Sequence, residues 1–157
     1  SDDSYNKYNN PVYLRQALDL GVTVILAHCA LPYFWLLDEE YKDDFEEFRR
    51  LFQEAEQHQW QLYADVSALA TPTRIPYVDI ILNEIPSDRL LYGSDYPIPI
   101  SEFSYNKSKN LIFWLRFITR MIRIKNPLHK NYHLISEMGF ADTVFENPQK
   151  LFARIQY

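Results

Sequence analysis

Cysteine occurs once in this 157-residue chain, as Cys29. A single thiol excludes an internal disulfide framework and suits a reducing cytoplasm. Glycine is nearly as scarce, with three residues, which argues against disorder and low-complexity sequence. Positive charge is also in deficit, sixteen basic residues against twenty-one acidic ones for a net charge of -5. Neutralising phosphates requires a basic surface, so nucleic acid is not the expected partner. No apolar run approaches the length of a membrane span, and the polar opening residues do not read as a signal peptide. The expectation is a soluble, cytoplasmic chain that does not use a membrane.

Aromatic residues, by contrast, are abundant: twelve Tyr and ten Phe within an apolar share of 47%. The length allows one domain with a sizeable core. Residues 1–10 are polar and read as loop. Asn10 and Pro11 then suit the cap and first position of a helix over 11–20, which Gly21 closes. A β-branched run predicts a strand over 22–28 that ends at His28. Residues 29–37 form an apolar loop whose Tyr33-Phe34-Trp35 must lie over a partner or a pocket. Phe45, Phe48, Leu51, Phe52 and Ala55 then recur at helical spacing and predict an amphipathic helix over 42–58. Its charges read as a solvated face. A strand over 61–66 is closed by Asp65, and a short helix is expected over 77–83. The next strand, 90–95, lies between Pro86-Ser87-Asp88 and Pro97 and carries Asp95 at its tip.

Beyond Pro97 a long polar connection leads into a helical region over 110–156. Its first helix, Leu111 to Ile124, carries Leu111, Leu115, Ile118 and Ile122 on one side and Arg116, Arg120 and Arg123 on another. That pattern fits either a helix lying on a membrane surface or one packed on a sheet with snorkelling arginines. A second helix spans Pro127 to Met138 and ends at Gly139. Asn147-Pro148 is expected to cap a short last helix, Gln149 to Ile155. No internal repeat is visible beyond the alternation of helix and strand.

That alternation implies parallel strands, whose carboxyl ends share one rim. His28, Asp65 and Asp95 then gather there. An imidazole with carboxylates can hold a divalent metal or act as general acid and base. Either aspartate could instead cap a turn, and His28 could simply bond a loop carbonyl. Cys29, as a strand neighbour of His28, would face the opposite way and could not pair with it. His58, His129 and His133 read as surface residues without ligand spacing.

Four stretches together resemble the amidohydrolase superfamily of metal-dependent hydrolases and decarboxylases: Val24-Ile25-Leu26-Ala27-His28-Cys29, Tyr63-Ala64-Asp65-Val66-Ser67-Ala68, Leu91-Tyr92-Gly93-Ser94-Asp95-Tyr96-Pro97 and Phe145-Glu146-Asn147-Pro148-Gln149-Lys150-Leu151-Phe152. The resemblance runs from about Pro11 onward and implies an α/β fold, the carboxyl-terminal portion of a (β/α)8 TIM barrel. It implies that His28 ends the sixth strand and contacts metal or activates water and substrate. Asp95 would end the eighth strand as metal ligand and proton acceptor, with zinc as the expected divalent metal. Asp65 and Ser67 fall on the seventh strand, where the resemblance assigns no role. The His-x-His pair of the family's first strand and the histidine of its fifth are not in this sequence. These 157 residues are therefore expected to be inactive alone and to associate with themselves or with a missing amino-terminal half. The implied activity is metal-assisted hydrolysis of an amide, ester or related bond in a small molecule. Non-oxidative decarboxylation on the same scaffold is the alternative, and so is a noncatalytic interaction domain that keeps the barrel residues.

Overall fold

A computed structural model describes residues 10–31, 40–98, 100–101, 103 and 110–154. The loop segment Tyr33-Phe34-Trp35 lies outside the described residues. A 3-10 turn, Pro11–Leu14, runs into α1 (Arg15–Asp19), so the expected first helix begins tighter than an α-helix. The Asn10 side chain accepts the amide hydrogen of Val12, and Gly21 follows the helix at φ 79°. In that left-handed conformation a residue with a Cβ would be strained.

Three strands follow: β1 (Val24–Leu26), β2 (Leu62–Asp65) and β3 (Leu90–Leu91). All are shorter than expected, because the residues that finish each run turn away from the ladder. They lie side by side in the order β1-β2-β3, parallel throughout. Leu26 pairs with Ala64, and Ala64 in turn with Leu90. Leu62, Ala64 and Leu90 face one core, while Tyr63 and Leu91 face the other side. This is the two-sided burial that parallel sheets require.

The larger core is built by α2 (Glu40–Ala55). Its Phe45, Phe48, Leu51, Phe52 and Ala55 are all buried, as their spacing predicts. The charged face of α2 departs from expectation at one point. Glu47 is buried, because Arg15 of α1 and Arg50 both bond its carboxylate. A short helix, α3 (Val78–Glu84), adds Val78 and Ile81 to the same core.

Three helices complete the described chain: α4 (Leu111–Arg123), α5 (Pro127–Glu137) and α6 (Asp142–Phe152). In α4 the packed residues are Ile118 and Met121, while Leu111, Leu115 and Ile122 are exposed. The expected stripe is therefore rotated: Met121 packs in place of Leu115 and Ile122. Among the described residues no helix is long and apolar enough to cross a membrane.

The last helix corrects a second expectation. Asn147-Pro148 does not start a helix; α6 begins at Asp142 and runs through Pro148. A proline within a helix leaves the carbonyl four residues back without its N–H partner. Here that carbonyl, Val144 O, accepts the Tyr92 amide at 2.8 Å. The Asn147 side chain donates to Ser87 O and Leu90 O at 2.9 and 2.8 Å. The proline thus frees one acceptor for the end of β3, and Asn147 supplies the donor that Leu90 needs. On the far face, Leu151 of α6 packs with Tyr63 and Leu91. Thus α6 covers the outer edge of β3 and part of that face.

Candidate functional site

At the carboxyl ends of the strands the backbone leaves the ladder sharply. His28, Cys29 and Ala30 take φ values of 54°, 52° and 56° in succession. Left-handed geometry costs a residue with a Cβ about 1–2 kcal/mol, so three in a row need firm anchoring. Asp65 provides it: its Oδ1 accepts the His28 amide at 3.0 Å, and its carbonyl accepts Cys29 Sγ at 3.3 Å. The expectation that His28 and Cys29 are strand neighbours facing opposite ways is thereby corrected, because both sit in this turn. Cys29 is nevertheless no nucleophile. It is fully buried, and burial followed by the Asp65 charge pushes its thiol well above the ordinary range.

Asp95 stands in a second left-handed turn, at φ 51°, with its carbonyl accepting the Ile98 amide at 2.8 Å. Aspartate tolerates this conformation better than most residues. The Tyr96–Pro97 bond that follows is cis. From the opposite side the buried Asn131 of α5 donates to Ser94 O at 3.4 Å and accepts from the Tyr92 hydroxyl at 3.2 Å. Gly93 fits tightly here, since a Cβ on it would stand 3.3 Å from Ser67 Cβ.

These turns bring the three sequence-predicted side chains together, with the imidazole in the middle. His28 Nδ1 lies 2.7 Å from Ser67 Oγ and 3.6 Å from Asp65 Oδ1. His28 Nε2 lies 3.5 Å from Asp95 Oδ2. All three side chains are partly open to solvent, at 27% for His28, 23% for Asp65 and 30% for Asp95.

The hydrogen-bond network assigns the proton on the ring. Ionised Asp65 can only accept, so the short contact between it and Ser67 is a bond donated by the hydroxyl. The Ser67 oxygen is then free to accept, and His28 Nδ1 carries the proton that fills it. In the neutral imidazole the Nε2 lone pair therefore points toward Asp95. Two acceptors 3.5 Å apart call for a proton donor or a cation between them.

Asp65 Oδ1 also accepts the Ser67 amide at 3.1 Å. Burial pushes the Asp65 carboxyl upward, but the nearby His28 ring and the bonds from the Ser67 hydroxyl and the His28 amide outweigh it. Together they hold the group below the ordinary aspartate value. The 3.6 Å from Asp65 to the ring is long for a hydrogen bond, so the Ser67 hydroxyl is the true link. Ser67, to which the sequence assigns no role, is thus the hinge of the site. Its position two residues after Asp65 was the available signal, because an aspartate side chain closes an Asx-type turn onto the amide two residues on.

Two donors held about 2.1 Å from one ion at a tetrahedral angle stand about 3.4 Å apart. His28 Nε2 and Asp95 Oδ2, at 3.5 Å, fit that span. The Oδ1 of Asp65 is not open to join them, since three protein donors already crowd it. Among the described residues no group of three or more His, Cys, Asp or Glu side chains is arranged to hold a metal. The pair therefore fits as part of a ligand set.

A family model described as Amidohydrolase matches residues 10–118, more than half of the chain. Comparison with curated proteins and with solved structures returns no match. The matched span contains all three strands and both turns that carry His28 and Asp95, and on it the chain belongs to the amidohydrolase family.

Proposed function

We propose that this chain supplies the His28–Asp95 half of a metal-dependent hydrolase site, within a (β/α)8 barrel, that cleaves an amide, ester or related bond of a small molecule. One observation carries the reading: His28 Nε2 and Asp95 Oδ2 converge to 3.5 Å while the other ring nitrogen is committed to Ser67. The amidohydrolase family generally works with divalent metals, and His28 and Asp95 would be this chain's ligands to one, with zinc as the expected ion. Such an ion supplies Lewis acidity and lowers the pKa of water to about seven.

The protein's own groups divide the remaining work. Asp95, as a carboxylate on the rim, accepts the proton of the attacking water. His28 presents a lone pair to the same point and orients the water or the substrate. Ser67 and Asp65 keep the ring proton on Nδ1, so that Nε2 stays available. The left-handed turns fix both side chains on rigid strand ends, which general acid–base catalysis needs for reach.

The test is Asp95→Asn in the full-length protein, with hydrolysis of a panel of amides and esters as readout. Loss of a general base costs about 10²–10⁴-fold in turnover, and a fall in that range is expected. Unchanged turnover would sink the mechanism. Release of carbon dioxide from a carboxylate-bearing substrate, with no water consumed, would move the reading to non-oxidative decarboxylation.

A further inference from the structure

Two histidines on the outer face of α5 stand apart from the rim. His129 and His133 are four residues apart on one helix, so their side chains leave the same face one turn apart. Their Nε2 atoms share a hydrogen bond at 2.9 Å, whose proton an ion would replace, and the ring centroids are 4.5 Å apart. His129 is exposed and His133 half-buried, with the edge of the Tyr132 ring against His133. The sequence reads both as surface residues, and the helix places them side by side.

We propose that His129 and His133 form a two-imidazole chelate for a divalent first-row transition ion, with Cu2+ or Ni2+ preferred over Zn2+. This site is independent of the reading given to His28 and Asp95. Imidazole is a good ligand for all three ions, and geometry separates them. Two nitrogens about 2.05 Å from one ion stand about 2.9 Å apart at a right angle and about 3.4 Å apart at a tetrahedral angle. The observed 2.9 Å matches the right angle of tetragonal or octahedral coordination. A tetrahedral ion would have to spread the rings by about half an ångström. Intrinsic affinity favours copper as well, since copper exceeds zinc in the order for nitrogen sites.

The helix beneath the pair is well held, which preorganises the ligands. The Asn126 side chain accepts the amides of Leu128 and His129, fixing the first turn. Asn131, Leu134 and Ile135 are buried on the opposite face. One turn further on, Glu137 bonds Arg120 of α4 at 2.5 Å. The carboxylate is thereby drawn toward the guanidinium, and water completes the coordination sphere.

Copper ion alone, added to the 157-residue chain, tests the site. His58 is an exposed single histidine stacked on Trp60 and serves as the internal control. With substoichiometric Cu2+, the ring proton resonances of His129 and His133 should broaden together and before those of His58. Each of His129→Gln and His133→Gln should weaken copper binding at least tenfold by calorimetry, with helix content unchanged. In a His28→Gln variant the broadening at α5 should persist, which separates this site from the rim. Broadening of His58 at the same copper level, or equal affinity in His129→Gln and the parent chain, would overturn the proposal.

Discussion

The hydroxyl of Ser67 has one proton and two neighbours that could take it, and the charge on Asp65 decides between them. A carboxylate outcompetes an imidazole nitrogen for that proton, and the ring must then donate in return. This makes Asp65 a residue of both stability and tautomer control. Its carboxyl lies below the ordinary aspartate value when folded, because the bonds from His28 and Ser67 outweigh the upward push of burial. A carboxyl depressed in this way stabilises the fold fully above its unfolded pKa, about 3.9. The contribution is lost as pH falls from there through the folded value. Asp65→Ala should therefore cost about 1.5–3 kcal/mol at pH 7, the range for hydrogen bonds to a charged acceptor. By pH 3 the gap between variant and parent should have shrunk. Denaturant unfolding at the two pH values measures both gaps, and a gap independent of pH would contradict the assignment.

Among the elements, α6 shows how a helix can act as a strand's neighbour. Pro148 leaves Val144 O open, Tyr92 N–H fills it, and Asn147 answers Leu90 O and Ser87 O. Asn147→Ala would leave two carbonyls without their donor. A buried polar group left unsatisfied costs about 1–3 kcal/mol, so the unfolding midpoint should drop by that equivalent with an unchanged denaturant slope. Faster exchange of the Tyr92 amide should accompany it; a midpoint within error of the parent would show that α6 does not hold β3. The same helix marks the limit of sequence reading. The buried face of α2 was legible because its period is local, and so was the gathering of His28, Asp65 and Asp95 on one rim. Asn147-Pro148 was misread as a helix start because the partner that rescues a mid-helix proline lies on β3, far away in sequence. The turn at His28 was hidden for the same reason, since Asp65 anchors it across 37 residues. In α4 two apolar stripes compete, and only the neighbouring elements choose between them.

At the scale of the molecule, the open question is which edge of the sheet takes a partner. The Val24 amide bonds Gln61 O at 2.9 Å, so β1 spends its even-numbered residues on β2. In a parallel ladder the residue between, Ile25, then turns its own N–H and C=O outward. Its side chain is 39% exposed on the face shared with Tyr63. On the other side, α6 already answers the outward groups of Leu90 and Tyr92. Association through strand pairing is therefore directed to β1, whether the partner is a second copy or further strands of a barrel. Unpaired apolar edges are templates for association, and a lysine on the edge blocks it. The 157-residue chain should show a sedimentation coefficient that rises with concentration in the micromolar range. Ile25→Lys should abolish the rise while leaving the circular dichroism unchanged, because the side chain has room to reach solvent. A parent chain that stays monomeric throughout would remove β1 as an interface. A variant that still associates would shift the contact to another surface, with the exposed Leu111, Leu115 and Ile122 of α4 next in line.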